Sequence, residues 1–167
     1  MLKVNSLLLD GHKILAESRT KTPKLDAEVL LSSVLNKNLK EIIIDKKINL
    51  NQSKINIFRQ LIRRRKNGEP IAYILKKKEF WKYNFYVDCN VLIPRPDTEI
   101  IVEETLKILN NNKKNFVLDV GTGSGCIIIS LANDCPNLMG TAIDISKKAL
   151  KVAKINAKMH QLLNRIK

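Results

Sequence analysis

Apolar positions recur at helical spacing through the first part of the chain. Leu25, Val29 and Leu30 form a stripe that continues to Val34 and Leu35. Thr22 followed by Pro23 predicts the start of that helix, because a threonine oxygen can cap it and proline suits its first position. Asp26 and Glu28 then fall where the positive end of the helix dipole favours carboxylates. Ile55, Phe58, Leu61 and Ile62 share a second helical face, which predicts a helix from near Ser53 to a stop at Gly68. Arg63, Arg64, Arg65 and Lys66 occupy its last turn. Favourable charge at a helix C-terminus explains them better than an RNA- or ribosome-facing patch.

The period changes after Ile71. Tyr73, Phe80, Trp81, Tyr83, Phe85 and Tyr86 cluster there, Phe85-Tyr86-Val87-Asp88 reads as a strand, and Lys82-Tyr83-Asn84 reads as a hairpin turn. Packing explains most of these aromatics; the rim of a substrate cleft is the functional alternative. Pro94 and Pro96 stiffen the next segment. A helix follows with Ile101, Thr105 and Ile108 expected on one face and Val102 and Leu109 beside it. The run Asn110 to Asn115 predicts a polar turn. Two βα units complete the pattern. One is Phe116–Val120 with a helix near Cys126–Asn133. The other is Met139–Asp144 with a helix capped by Ser146 that turns Leu150, Ala153 and Ala157 inward. The expected fold class is therefore α plus α/β: an N-terminal helical bundle over 1–70, a β-hairpin linker over 71–94, and an incomplete Rossmann-like domain over 95–167.

Composition alters this picture little. Hydrophobic content of 44% is enough for a core, and no apolar run approaches the length of a membrane span. Asn5, Asp10, His12 and Lys13 interrupt any signal-peptide core. Cys89, Cys126 and Cys135 show no metal or disulfide spacing, so no metal ligands are expected and a reducing cytoplasm is the simplest compartment. The net charge of +14 is spread along a chain rich in Asn and Ile, so charge alone does not identify a nucleic-acid partner. His12 and His160 have no Cys or Ser in obvious register and read as surface or boundary residues.

The chemistry concentrates in Asp119-Val120-Gly121-Thr122-Gly123-Ser124-Gly125. The dinucleotide fingerprint G-x-G-x-x-G serves a pyrophosphate. Here the last glycine comes one residue earlier and an acid precedes the turn. A carboxylate at Asp119 repels phosphate and accepts from an ammonium group, which favours a cationic amino-acid nucleoside such as S-adenosylmethionine. Asp144 ends the next strand, near the spacing at which an acid reaches ribose hydroxyls. The plain alternative is a tight βα turn with a capping aspartate.

Upstream blocks carry a more specific signal. Arg65-Lys66-Asn67-Gly68-Glu69-Pro70-Ile71-Ala72-Tyr73-Ile74, Glu79-Phe80-Trp81 and Val91-Leu92-Ile93-Pro94-Arg95-Pro96-Asp97-Thr98-Glu99 precede the glycine turn, and Leu25-Asp26-Ala27-Glu28-Val29-Leu30-Leu31 lies further upstream. Together they resemble the HemK/PrmC-type release-factor glutamine methyltransferases along essentially the whole chain. Lys76 departs from the glycine common at that place. The resemblance implies methyl transfer from S-adenosylmethionine to a glutamine side-chain amide of peptide-chain release factors. It implies that 1–70 recognises the substrate. It also implies that Asp119, Gly121, Thr122, Gly123, Ser124 and Gly125 cradle the cofactor, that Asp144 holds its ribose, and that Arg95, Thr98 and Glu99 border its methionine end or the substrate entrance. Stiffening the junction is the other role open to Arg95.

That family orients the amide with an Asn-Pro-Pro-Tyr motif, and no two prolines are adjacent in this sequence. The expectation is an N-terminal portion of the enzyme, from a split, truncated or decayed reading frame. It should be inactive alone or active only with a complementary C-terminal fragment, and no catalytic residue is assigned. Its sheet is expected to have two strands and an open edge.

Overall fold

The computed structural model describes residues 4–44, 50–109 and 113–167. Of the expected polar turn, Asn110, Asn111 and Asn112 lie outside these residues. The chain divides into two compact units, 1–75 and 76–167.

The first unit contains helices α1 (Val4–Ala16), α2 (Pro23–Leu35), α3 (Leu39–Ile44), α4 (Gln52–Lys66) and α5 (Ile71–Leu75). Leu7, Leu15, Leu30, Leu31, Phe58 and Ile62 are fully buried at its centre. Gly11 lets α4 close on α1, since a Cβ there would lie 2.8 Å from the Phe58 ring. Helix α4 is capped by Asn51, whose side chain accepts from the Lys54 amide, so it starts just before the Ser53 expected from the sequence.

Helix α2 is rotated from its expected phase. Ala27, Leu30, Leu31 and Leu35 face the core, whereas Leu25 is half exposed. The cause is Asp26, which is buried and accepts from Arg65 Nε at 2.7 Å and from Thr22 Oγ1 at 2.9 Å. Thr22 spends its hydroxyl on that carboxylate and makes no side-chain cap. Arg65 also donates through Nη1 to the Glu69 carbonyl at 3.1 Å, so this arginine of the basic run is committed to holding α2, α4 and the Gly68-Glu69 turn together.

The second unit opens with the hairpin β1 (Lys78–Phe80) and β2 (Tyr83–Phe85), paired antiparallel with Phe80 opposite Tyr83. Its turn is therefore Trp81-Lys82, not Lys82-Tyr83-Asn84. Trp81 takes a positive φ of 56°, as the first turn residue of a tight hairpin requires. A short 3-10 turn (Pro96–Thr98) leads into α6 (Glu99–Ile108). This entry sets the helix phase so that Val102 is buried while Ile101 and Ile108 are exposed, the reverse of the expected face.

Strands β3 (Asn115–Val120) and β4 (Leu138–Ile143) pair in parallel across α7 (Cys126–Asp134), and α8 (Lys147–Met159) follows. The sheet does not end at β4. Gly140 N donates to Arg165 O at 2.8 Å, Lys167 N to Gly140 O at 3.0 Å and Ala142 N to Lys167 O at 2.8 Å, so 165–167 adds a third parallel segment. Helix α7 packs on both strands and on α8. Gly140 permits that approach: a Cβ there would sit 2.6 Å from Ile128 Cδ1. The opposite sheet face, with Phe116 (79%), Leu118 (60%), Val120 (71%) and Ile143 (44%), is exposed.

Candidate cofactor-binding site

The glycine turn connects the end of β3 to α7. Gly121, Gly123 and Gly125 all have positive φ, at 78°, 56° and 79°. A Cβ on Gly121 would meet nothing within 4 Å, and one on Gly123 only the Gly121 carbonyl at 3.9 Å. Their bare backbone therefore borders open space, as close ligand approach requires. Gly125 serves packing instead: a Cβ would fall 2.9 Å from Ile129 Cδ1 and 3.3 Å from Ala153 Cβ, where α7 meets α8.

Both acids singled out from the sequence engage this turn. Asp119 Oδ2 accepts from Thr122 Oγ1 at 2.7 Å. Asp144 Oδ2 accepts from Gly123 N at 2.9 Å, and its Oδ1 accepts from Ser146 N at 2.8 Å. The Ile143 carbonyl takes both Gly121 N, at 2.8 Å, and Thr122 N, at 3.0 Å. One end of β4 thus holds the turn from the side. Burial pushes the Asp119 carboxyl above its ordinary value, the Thr122 hydrogen bond opposes this, and the Asp144 charge adds to the rise. A carboxylate accepts at about four lone-pair positions, so these hydrogen bonds leave Asp119 and Asp144 acceptor capacity toward a cationic or hydroxyl-bearing ligand. Such a pair disfavours a phosphate. Thr122 and Ser124 are buried beneath the turn.

A residue without a sequence signal supports the turn from below. Asn156, fully buried on α8, donates through Nδ2 to Ser124 O at 2.8 Å and to Tyr86 O at 2.9 Å, and accepts at Oδ1 from Tyr86 N at 2.7 Å. His160, one turn later, is half-buried at the boundary as expected, and its ring is hydrogen bonded there. Its Nε2 lies 3.0 Å from Asn84 O and its Nδ1 3.1 Å from Asn133 Nδ2. Because a carbonyl only accepts, Nε2 carries the proton and Nδ1 accepts. The ring also tilts against Phe85, with centroids 5.1 Å apart.

The proline block is arranged differently from the glycine turn. Arg95 is exposed and Thr98 half-buried, while Glu99 Oε1 accepts from Trp81 N at 2.9 Å, a contact to the hairpin. The hairpin is gripped again by Asp134. Its carboxylate receives the Trp81 indole at 2.8 Å, Lys82 Nζ at 2.9 Å and the Tyr83 hydroxyl. Nothing local in the sequence marks Asp134 or Asn156, since their partners lie 51 to 53 and 70 residues away for the hairpin contacts.

Residues 6–75 match the PrmC N-terminal domain family, and residues 111–165 match a methyltransferase domain family. The chain is 46% identical over 87% of its length to a release factor glutamine methyltransferase of Coxiella burnetii, covering 52% of that protein. It is 45% identical over 88% of its length to one from Buchnera aphidicola subsp. Schizaphis graminum, covering 53% of it. A third, from Chlorobaculum tepidum, is 40% identical over 98% of the chain, with 58% of that protein covered. The chain spans about half the length of the curated relatives it matches. The chain thus carries a PrmC N-terminal domain followed by a methyltransferase domain, and over most of its length it is similar to release factor glutamine methyltransferases.

Proposed function

We propose that the glycine turn is a binding site for S-adenosylmethionine, serving methylation of a glutamine side-chain amide in peptide-chain release factors. The observation that carries this reading is the pair of carboxylates, Asp119 and Asp144, hydrogen bonded into a turn whose Gly121 and Gly123 face open space. Gly121 and Gly123 let the ligand approach the backbone, Asp119 supplies negative potential toward the cationic end, and Asp144 accepts from the ribose. Arg95 and Thr98 border the methionine end or the substrate entrance, and Glu99 fixes the hairpin beside them.

The substrate half of the proposal rests on the names of the relatives and on the PrmC N-terminal match. Residues 1–70 recognise the release factor, 71–94 link, and 95–167 form the first part of the methyltransferase domain, acting in the cytoplasm. When bound, the cofactor would supply an electrophilic methyl group for the amide nitrogen. An amide nitrogen needs acceptors that hold it in line for this. No Asn-Pro-Pro-Tyr is among the 167 residues. In this reading these residues supply the cofactor site, and the acceptors that orient the amide come from outside them.

Titration calorimetry of the chain with S-adenosylmethionine and S-adenosylhomocysteine tests the site. Saturable binding that Gly123→Val abolishes is expected; absence of binding by a folded chain overturns the cofactor assignment. Incubation with an unmethylated release factor tests the rest, and robust glutamine methylation by these residues alone removes the claim that acceptors come from elsewhere.

A further inference from the structure

Helix α8 holds the hairpin in a way that reaches the glycine turn. Asn156 and His160 are four residues apart, an advance of about 6 Å along a helix. Their partners Asn84 and Tyr86 are two residues apart, about 6.7 Å along a strand. The repeats match, so one helix face grips alternate residues of the strand and its exit. The Asn156 carboxamide takes both backbone polar groups of Tyr86, as a neighbouring strand would, and its second N–H reaches Ser124 O in the glycine turn. The same side chain is thereby bonded to the turn and to the segment that leads into the proline block.

Resting on the cofactor reading above, we propose that Asn156 is a positioning residue that ties the glycine turn to the hairpin exit, so that occupation of the turn and order in residues 84–88 rise and fall together. The requirement is chemical as well as steric. Ser124 O and Tyr86 O need donors, while Tyr86 N needs an acceptor. Only a carboxamide of this length meets all three. An aspartate of the same shape keeps the acceptor, loses both donors and sets a buried charge against two carbonyls. Protonation returns one O–H donor to it.

The test uses the full chain with S-adenosylhomocysteine as probe, amide hydrogen exchange as readout, and the variants Asn156→Asp, Asn156→Leu and Asp134→Asn. In the natural chain the probe should slow exchange at 84–88 as well as at 121–125. Asn156→Asp should bind about 10- to 100-fold more weakly at neutral pH, the equivalent of one or two buried hydrogen bonds, and recover part of that loss as pH falls. Asn156→Leu should lose affinity without such recovery. Asp134→Asn, which loosens the hairpin at its tip, should keep the protection at 84–88. Probe binding that leaves 84–88 unchanged in the natural chain overturns the coupling, as does an Asn156→Asp deficit that does not depend on pH. If the natural chain binds no probe, the cofactor reading fails and the ligand-free arm decides. Faster exchange in Asn156→Asp at both Gly125 and Tyr86 supports the tie, and a change at Tyr86 alone overturns it.

Discussion

Replacing Asp134 with alanine should unlatch the hairpin. This carboxylate sits at the C-terminal end of α7 and receives the Trp81 indole, the Lys82 ammonium and the Tyr83 hydroxyl. It is only 14% exposed, so its bonds are poorly replaced by water, whereas Lys82 at 63% is well solvated. The lysine pair is accordingly worth at most about 1 kcal/mol. Each of the other two is a hydrogen bond to a charged group, worth about 1.5–3 kcal/mol before the freed donors find solvent. The half-buried indole and phenol recover part of that, leaving a net loss of roughly 2–4 kcal/mol. For a unit of this size that corresponds to a fall in Tm of about 10–25 °C. Trp81 is the single tryptophan of the chain, so its emission reports on the latch directly. Asp134→Ala should shift that emission toward the solvent-exposed value and lower the calorimetric Tm of residues 76–167. The pH dependence has a fixed sign. Burial pushes the Asp134 carboxyl up, but the bonds from Trp81, Tyr83 and Lys82 outweigh it and hold the group below the usual carboxylate range. Its contribution is therefore present above the unfolded value and lost as pH falls through the lowered folded one. A variant with unchanged emission and a Tm within about 2 °C of the natural chain would refute the latch.

Further outcomes follow from the same geometry. Asp26→Ala strips Arg65 of a buried partner and should destabilise residues 1–75 by about 3–5 kcal/mol, read by chemical denaturation monitored by circular dichroism. Gly123→Ala adds left-handed strain of about 1–2 kcal/mol in open space. Gly125→Ala adds overpacking of about 1–3 kcal/mol against Ile129 and Ala153, so its Tm should fall further. Equal Tm values would remove the packing role of Gly125. Cys89 is exposed, whereas Cys126 and Cys135 are buried and burial pushes the Cys126 thiol up to about 11. A disulfide reagent at neutral pH should modify Cys89 quickly and the other two only on unfolding. Asp119 has a raised folded value, so its contribution is full below the unfolded value and lost as pH rises through the folded one. Asp119→Asn should therefore raise the ligand-free Tm at neutral pH while weakening S-adenosylmethionine binding; a lowered Tm would contradict that sign.

Much of the site was legible because its signals are local. A buried strand, an acid and alternating glycines fix a βα turn within ten residues, and Ser146 caps α8 by accepting from Ala149 N as its position suggested. The missed features depend on distant partners. The stripe of α2 turned with Asp26 because a carboxylate facing Arg65 outweighs the burial of Leu25, and Arg65 is 39 residues away. The hairpin turn moved to Trp81 because its backbone is held by Glu99 and its ring by Asp134. Left-handed tryptophan carries no local cue, and propensity at that place points to Asn84. Helix α6 changed face for a similar reason: the 3-10 turn before it fixes which residue meets the core, and apolar spacing alone does not distinguish Ile101 from Val102.

The turn and the sheet have different requirements. The hydrogen bonds that hold the glycine turn come from the end of β4, from Asp119 and from α8, and α8 also ties it to the hairpin exit. The exposed face carrying Phe116, Leu118, Val120 and Ile143 contributes no side-chain hydrogen bond to it. A parallel sheet is normally covered on both faces because its strands are apolar on both, and these strands follow that composition while one face remains open. Alternation explains how both hold at once: Asp119 points to the side of the turn, whereas its neighbours Leu118 and Val120 point to the open side. Covering that face would add burial and rigidity to β3 and β4 without changing any partner of Asp119 or Asp144. The hydrogen bonds of the turn are thus independent of that face, and what packs on Phe116 and Leu118 bears on the stability of β3 and β4.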